Sequence, residues 1–155
     1  VLARSMARAG LTMRAAHRMG VDPRVGVMGP TLRVAENLLT AGVVVSTLPP
    51  HAADELADAL AELTSSGSGG SRGRHRIDGV LLDCAYDPRP TALAAAWAAG
   101  GGTVVGGERM LLHQATEQVR LMTGEPAPLA AMEAALLEAL SGTGASSTGG
   151  PSDPS

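Results

Sequence analysis

The sequence predicts an α/β fold, an incomplete doubly wound parallel sheet followed by carboxy-terminal helices, and two observations carry that prediction. Short aliphatic or β-branched runs alternate with longer segments whose apolar residues recur at helical spacing, the signature of strands joined by right-handed helical crossovers. The clearest runs, Val43-Val44-Val45, Gly79-Val80-Leu81-Leu82-Asp83 and Thr103-Val104-Val105, are almost wholly apolar, which suits parallel strands buried on both faces. With 155 residues and 45% hydrophobic content the chain is long enough for one domain core. Phe is absent, and Trp and Tyr occur once each. The core must therefore be built from Ala, Leu, Val and the seven Met.

Taken in order, Val1-Leu2-Ala3 reads as the end of a strand and Met6 to Met19 as a helix closed by Gly20. Ala3-Arg4-Ser5-Met6-Ala7-Arg8 lies where that strand hands over to the helix. In nucleotide-binding folds such a turn meets the adenosine ribose and its arginines can clamp a 2′-phosphate, although two arginines at a helix start are more often only solvated. Val25-Gly26-Val27 reads as a short strand, Thr31 to Leu39 as a short helix, and Val43-Val44-Val45 as a buried strand bounded by Gly42 and Pro49-Pro50. Ser46-Thr47-Leu48-Pro49 follows at the carboxy end of that strand, the side on which open α/β sheets bind ligands. Ser and Thr before proline are also ordinary turn formers. Ala52 to Leu63 is helical, with Asp54 and Glu55 in its first turn matching the helix dipole. Thr64 to Arg76 is polar and glycine-rich and reads as a mobile loop. Its Gly67-Ser68-Gly69-Gly70-Ser71-Arg72 mimics a dinucleotide fingerprint, but a working one follows a strand and opens a helix, and this one follows a helix.

Cys84-Ala85-Tyr86 leaves the carboxy end of the strand that finishes at Asp83. A lone cysteine is commonly a small buried apolar residue, and a lone tyrosine a half-buried ring with a wet hydroxyl. Pro88 and Pro90 stiffen the turn into a helix from Thr91 to Ala99. Gly100-Gly101-Gly102 returns the chain to Thr103-Val104-Val105. The paired glycines Gly106-Gly107 then make a turn into a helix whose apolar stripe is Met110, Leu111, Ala115, Val119 and Met122. His113 and Gln114 sit in the second turn of that helix. Pro126 to Leu140 reads as the last helix, so residues 1–140 form the folded part. Ser141 to Ser155 is Gly, Ser, Thr and Pro almost throughout and reads as a disordered tail.

Composition narrows the function classes. A net charge of −3 and a pI near 5.8 give no electrostatic reason to expect nucleic acid or an anionic membrane as partner. There is no apolar run long enough to span a membrane and no signal-peptide pattern at the start, so a cytoplasmic protein is expected. The single Cys84 excludes an intrachain disulfide and fits a reducing compartment. All 12 basic residues are arginine, which removes Schiff-base chemistry and the lysine of a phosphate-binding P-loop. The 4 histidines are scattered, which speaks against a metal site.

Two stretches carry a resemblance. Asp83-Cys84-Ala85-Tyr86-Asp87-Pro88-Arg89-Pro90-Thr91-Ala92-Leu93 has the form Asp-x-x-Tyr-x-Pro-x-x-Thr-x-Leu, and Gly107 to Ala115 the form Gly-x-x-Met-Leu-x-x-Gln-Ala. In content, order and separation they closely resemble the carboxy-terminal half of shikimate dehydrogenases, and the resemblance extends from Val1 to Leu140 or so. It implies a partial Rossmann-like NADP-binding domain with its carboxy-terminal helices. It puts Arg4, Ser5 and Arg8 on the NADP phosphate, through a family pattern Asn-Arg-Thr-x-x-Arg whose Asn is Ala3 here. It puts Ser46 and Thr47 in the loop beside the cofactor, and Cys84 along the nicotinamide side through its backbone. Gly107 becomes a close backbone approach to the nicotinamide with Met110 packed nearby. Tyr86 and Gln114 fall beside the substrate, and an amide such as Gln114 can both donate to and accept from ring hydroxyls. His113 receives no role.

The implied reaction is NADPH-dependent reduction of 3-dehydroshikimate to shikimate, in aromatic amino-acid biosynthesis. The family's proton-carrying lysine and aspartate belong to an amino-terminal substrate domain, so no catalytic residue is expected in this chain. In the doubly wound order the first strand sits centrally, between the second and the fourth, and the glycine turn leaves its end. Nothing before Val1 supplies either. The chain therefore reads as a fragment, inactive alone, whose partners are the missing amino-terminal domain and shikimate or 3-dehydroshikimate. Two other readings stay open: a non-catalytic nucleotide-binding or interaction module, and a relative acting on quinate.

Overall fold

The computed structural model describes residues 1–65 and 75–142, so the glycine-rich Gly67 to Arg72 and the tail beyond Gly142 lie outside the described residues. The chain divides into two compact units, Val1–Gly106 and Gly107–Ser155. Strand and helix alternate throughout the first unit: β1 (Leu2–Ala3), α1 (Met6–Arg18), β2 (Gly26–Val27), α2 (Thr31–Leu39), β3 (Val43–Ser46), α3 (Asp54–Thr64), β4 (Val80–Asp83), α4 (Ala92–Ala99) and β5 (Thr103–Gly106). Every strand pair is parallel, as crossover helices require.

The strands form two sheets, ordered β1-β2 and β3-β4-β5. In the doubly wound order these sheets correspond to the two flanks β2-β1 and β3-β4-β5. One unpaired edge of each can be read from the backbone. Gly26 and Met28 donate to the carbonyls of Val1 and Ala3, so the alternation of a strand turns the N–H and C=O of Leu2 outward. On β3, Gly42 and Ser46 accept from Val80 and Cys84, which leaves the N–H and C=O of Val43 and Val45 facing away from β4.

The core lies on one face of the three-stranded sheet. Val34 and Ala35 of α2, Leu56 and Leu60 of α3, Ile77, Leu81 of β4, and Leu93 and Trp97 of α4 are all buried in one cluster, and Val44 and Val104 pack against it. The opposite face is different: Val43 and Val45 are 69% and 57% exposed. Val43-Val44-Val45 is thus a strand, as its β-branched run predicts, but not one buried on both sides. It stands at a sheet edge, and the layer α2, α3 and α4 covers the other face.

Trp97 supplies the bulk that a chain without Phe otherwise lacks. It is fully buried, and its indole Nε1 donates to the Gly79 carbonyl at 3.2 Å. The chain approaches the ring closely on two sides. A Cβ at Gly79 would stand 3.2 Å from Trp97 Cζ2, and one at Gly102 would stand 2.5 Å from Trp97 Cδ1. Glycine at these positions is dictated by space.

The second unit contains α5 (Gly107–Thr123) and α6 (Leu129–Gly142). No separate turn separates strand from helix at the paired glycines, because β5 ends on Gly106 and α5 begins on Gly107. The predicted apolar stripe of α5 is also displaced. Leu112 is buried, whereas Leu111 and Met122 are exposed. α6 starts at Leu129, buries no residue, and extends two positions past Leu140 into the expected tail. No helix among the described residues is long and apolar enough to cross a membrane.

Candidate functional site

Parallel pairing brings the carboxyl ends of three strands level. Ser46 of β3 lies opposite Asp83 of β4, and Asp83 opposite Gly106 of β5. Cys84 N–H donates to the Ser46 carbonyl at 2.9 Å, which extends the β3-β4 pairing one step beyond the strand and carries the two following loops out side by side. Between them opens a cleft of about 420 Å³, lined by Thr47, Leu48 and Pro49 from one loop and by Cys84, Ala85 and Tyr86 from the other. Its walls are mostly apolar, and its polar side chains are those of Thr47, Tyr86 and Asp87. A concave apolar surface carrying a few polar groups is the usual form of a small-molecule site.

Below the cleft a smaller cavity is lined by Ser46, His51, Asp54, Asp83 and Thr91. His51 holds a positive φ of 64°, uncommon for a residue with a side chain, and its Nδ1 lies 3.0 Å from Asp54 Oδ2 at the start of α3. Asp83 is buried. Its Oδ1 accepts from the Ala85 N–H at 3.3 Å, and its Oδ2 from the Thr91 hydroxyl at 2.5 Å. Thr91 is also the N-cap of α4, its Oγ1 accepting from Ala94 N–H at 3.1 Å.

The residues singled out from sequence therefore fall into three places. Thr47, Cys84 and Tyr86 share the cleft, with Ser46 buried just below it. Tyr86 is exposed. Arg4 and Ser5 stand at the junction of β1 and α1, on the other sheet, and Arg4 is exposed. Ser5 has the extended backbone of an N-cap, but its hydroxyl makes no capping bond, and no acidic residue occupies the first turn of α1. That helix start has amide groups to offer an anion. Arg8 belongs to the same turn, and its side chain is outside the described residues. Gly107, Met110 and Gln114 belong to the second unit: Gly107 is buried as the first residue of α5, Met110 is half-buried and Gln114 exposed. Within that unit an Arg109–Glu133 ion pair ties α5 to α6.

Sequence reasoning passed over Asp83 and Thr91, although both stand in the quoted motif. A threonine one residue before an Ala- and Leu-rich helix is a cap signal, and an aspartate closing an apolar strand calls for a partner.

Open parallel strands with crossover helices, and loops gathered at the carboxyl ends of β3 and β4, define a Rossmann-like α/β domain. The family model for the "Shikimate 5'-dehydrogenase C-terminal domain" matches residues 107–137. The crystal structure of Mycobacterium tuberculosis shikimate dehydrogenase superposes with a TM-score of 0.68 at 39% identity, covering 89% of this chain and 46% of that one. The shikimate dehydrogenase (NADP(+)) of Natronomonas pharaonis is 32% identical over 127 residues, 72% of this chain and 48% of that protein. Quinate dehydrogenase from Corynebacterium glutamicum, in complex with NAD, shares the fold with a TM-score of 0.62 at 22% identity. The chain belongs to the shikimate dehydrogenase family, and corresponds to the carboxy-terminal part of its members. It spans about half the length of these relatives.

Proposed function

We propose that this chain is the cofactor-binding part of an NADP-dependent shikimate dehydrogenase, which interconverts 3-dehydroshikimate and shikimate in aromatic amino-acid biosynthesis, and that it is inactive alone. The observation that carries the reading is the cleft at the carboxyl ends of β3 and β4, where Thr47, Cys84 and Tyr86 converge. Ligands of open α/β sheets bind at that end. Support for NADP comes from the β1-α1 junction, where exposed Arg4 and an uncapped helix start without acidic residues offer donors suited to a 2′-phosphate, and where the sequence adds Arg8.

The nicotinamide supplies the hydride when bound. The residues of this chain bind and orient. Arg4, Ser5 and Arg8 are assigned to the phosphate end, Ser46, Thr47 and the Cys84 backbone to the nicotinamide end and Tyr86 to the substrate; Gly107 and Met110 are assigned to the nicotinamide and Gln114 to the substrate by the family motif of the second unit alone. Proton transfer is assigned to the amino-terminal part of the enzyme, where the family carries its lysine and aspartate; this chain has no lysine to take that role. The two free strand edges support the same view: Leu2 on one side and Val43 and Val45 on the other offer unpaired backbone groups to one inserted parallel strand, which the missing part of the enzyme would supply. The absence of a lone spanning helix among the described residues and the single cysteine support a cytoplasmic setting.

The test is a thermal melt with NADP⁺, NAD⁺ or neither. NADP⁺ at about a hundredfold over Kd stabilises a native-state binder by about 2.7 kcal/mol, a rise of several degrees. NADP⁺ is expected to raise the midpoint more than NAD⁺, and an Arg4→Ala, Arg8→Ala double variant to lose that difference. A transition indifferent to both nucleotides would remove the cofactor reading, and shikimate-dependent NADP⁺ reduction by the pure chain would overturn its inactivity.

A further inference from the structure

Residues 84–90 hang between two anchors that bond to each other. Asp83 closes β4, Thr91 opens α4, and the Thr91 hydroxyl donates to Asp83 Oδ2 at 2.5 Å while accepting from Ala94 N–H. Asp83 Oδ1 takes the Ala85 N–H as well, so the buried carboxyl holds the exit of the loop beside the Cys84–Ser46 backbone bond, and its partner hydroxyl holds the entry to the next helix. Tyr86 to Pro90, by contrast, are exposed. A carboxyl buried to this degree is costly unless hydrogen-bonded, and an apolar residue would fill the strand end at less cost if filling space were its only task. Both of its bonds go to the ends of the loop that forms one wall of the cleft.

We propose that Asp83 and Thr91 are positioning residues: their bond sets the conformation of the 84–90 loop, and with it the placement of Cys84 and Tyr86 against Thr47 across the cleft. The inference rests on the cofactor reading for its functional meaning, but its geometry stands without a ligand. Neither residue reaches across the cleft itself. They act through the backbone of the loop that the Asp83 carboxyl and the Thr91 hydroxyl close into a ring.

The chain carries its own pair of reporters, because Tyr86 is its only tyrosine and Trp97 its only tryptophan. Biosynthetic labelling with fluorotyrosine and fluorotryptophan gives one fluorine resonance for the loop and one for the core. Thr91→Asp keeps a side-chain acceptor for the α4 cap but sets a second carboxyl against Asp83, whereas Thr91→Ser keeps both the cap and the hydroxyl donor. In Thr91→Asp the Tyr86 resonance is expected to move to its denatured-chain position while the Trp97 resonance stays; in Thr91→Ser both are expected to stay. An unmoved Tyr86 resonance in Thr91→Asp, a Trp97 resonance that moves with it, or loss of the Tyr86 position in Thr91→Ser would each overturn the proposal. These readouts need no cofactor. If the unaltered chain ignores NADP⁺ while the Tyr86 resonance still responds to Thr91→Asp alone, the cofactor reading fails and the brace stands. If the unaltered chain binds NADP⁺, Thr91→Asp is expected to lose that binding with its Trp97 resonance intact.

Discussion

The first unit contains two parallel sheets built from the same kind of unit, strand, helix and strand, yet they differ in nearly everything that follows from burial. β1 and β2 are two residues each, and Leu2 and Val27 are exposed. β3, β4 and β5 are four residues each and carry Leu81, buried beneath α3 and α4 in the cluster around Trp97. The difference is one of neighbours. β4 is paired on both sides, and its helices pack on one another across the sheet, whereas β1 has a partner on one side only. A strand's length and burial are therefore properties of the sheet it joins.

The contrast is broken most forcefully by truncation. Trp97→Ala removes the largest core side chain and strands the Gly79 carbonyl, with an expected cost of about 3–5 kcal/mol, while Leu2→Ala on the short sheet costs about 0.5 kcal/mol or less. Denaturant titration of the two variants measures both. Equal losses would mean that the two sheets already share one core. Hydrogen exchange then sharpens the comparison within the unaltered chain. The Val80, Cys84 and Thr103 amides, donors along the longer sheet, are expected to exchange only through the largest opening of the first unit, and the Gly26 and Met28 amides through local fraying. Uniform protection would contradict the division.

The smallest effect belongs to neither sheet. On α5, Arg120 donates to Glu117 at 2.5 and 2.9 Å, and this bond holds the Glu117 carboxyl below its ordinary value of 4.5 against a weaker opposing effect of burial. A lowered folded value stabilises above pH 4.5, and the contribution fades as pH falls through that lowered value. The pair is at the surface, so Glu117→Gln should melt marginally below the unaltered chain at neutral pH and coincide with it in acid. A difference that grew in acid would have the wrong sign for this cause.

Much of this was legible in the sequence, for reasons that can be named. Thr31 to Leu39 is a helix over the residues its spacing predicts, because its apolar positions and its flanking proline and glycine act locally. The burial of Val43 and Val45 was not legible, because exposure there depends on a strand and a covering layer rather than on the valines themselves. The α5 stripe was misplaced for a related reason: Leu112, outside the predicted stripe, is covered while Met122, within it, is not. Of the site, Cys84 and Tyr86 were identified by motif and Thr47 by its place at the end of β3, and the three meet in one cleft. The bond between Asp83 and Thr91 escaped because it joins residues eight positions apart across a loop, a distance at which neither helical nor strand periodicity carries information.

The close quarters around Trp97 also bear on how this sequence can drift. Gly102 leaves no space for a methyl group beside the indole, while at Gly79 an added carbon would meet the Ala41 carbonyl before it met the ring at 3.2 Å. A larger residue at Gly102 collides with the ring, one at Gly79 collides with the Ala41 backbone, and a smaller residue at 97 opens a void, so each single step leads downhill in stability. Gly102 and Trp97 are one inherited unit: related sequences should either keep both or have replaced them together, whereas Gly79 is held by backbone whatever stands at 97.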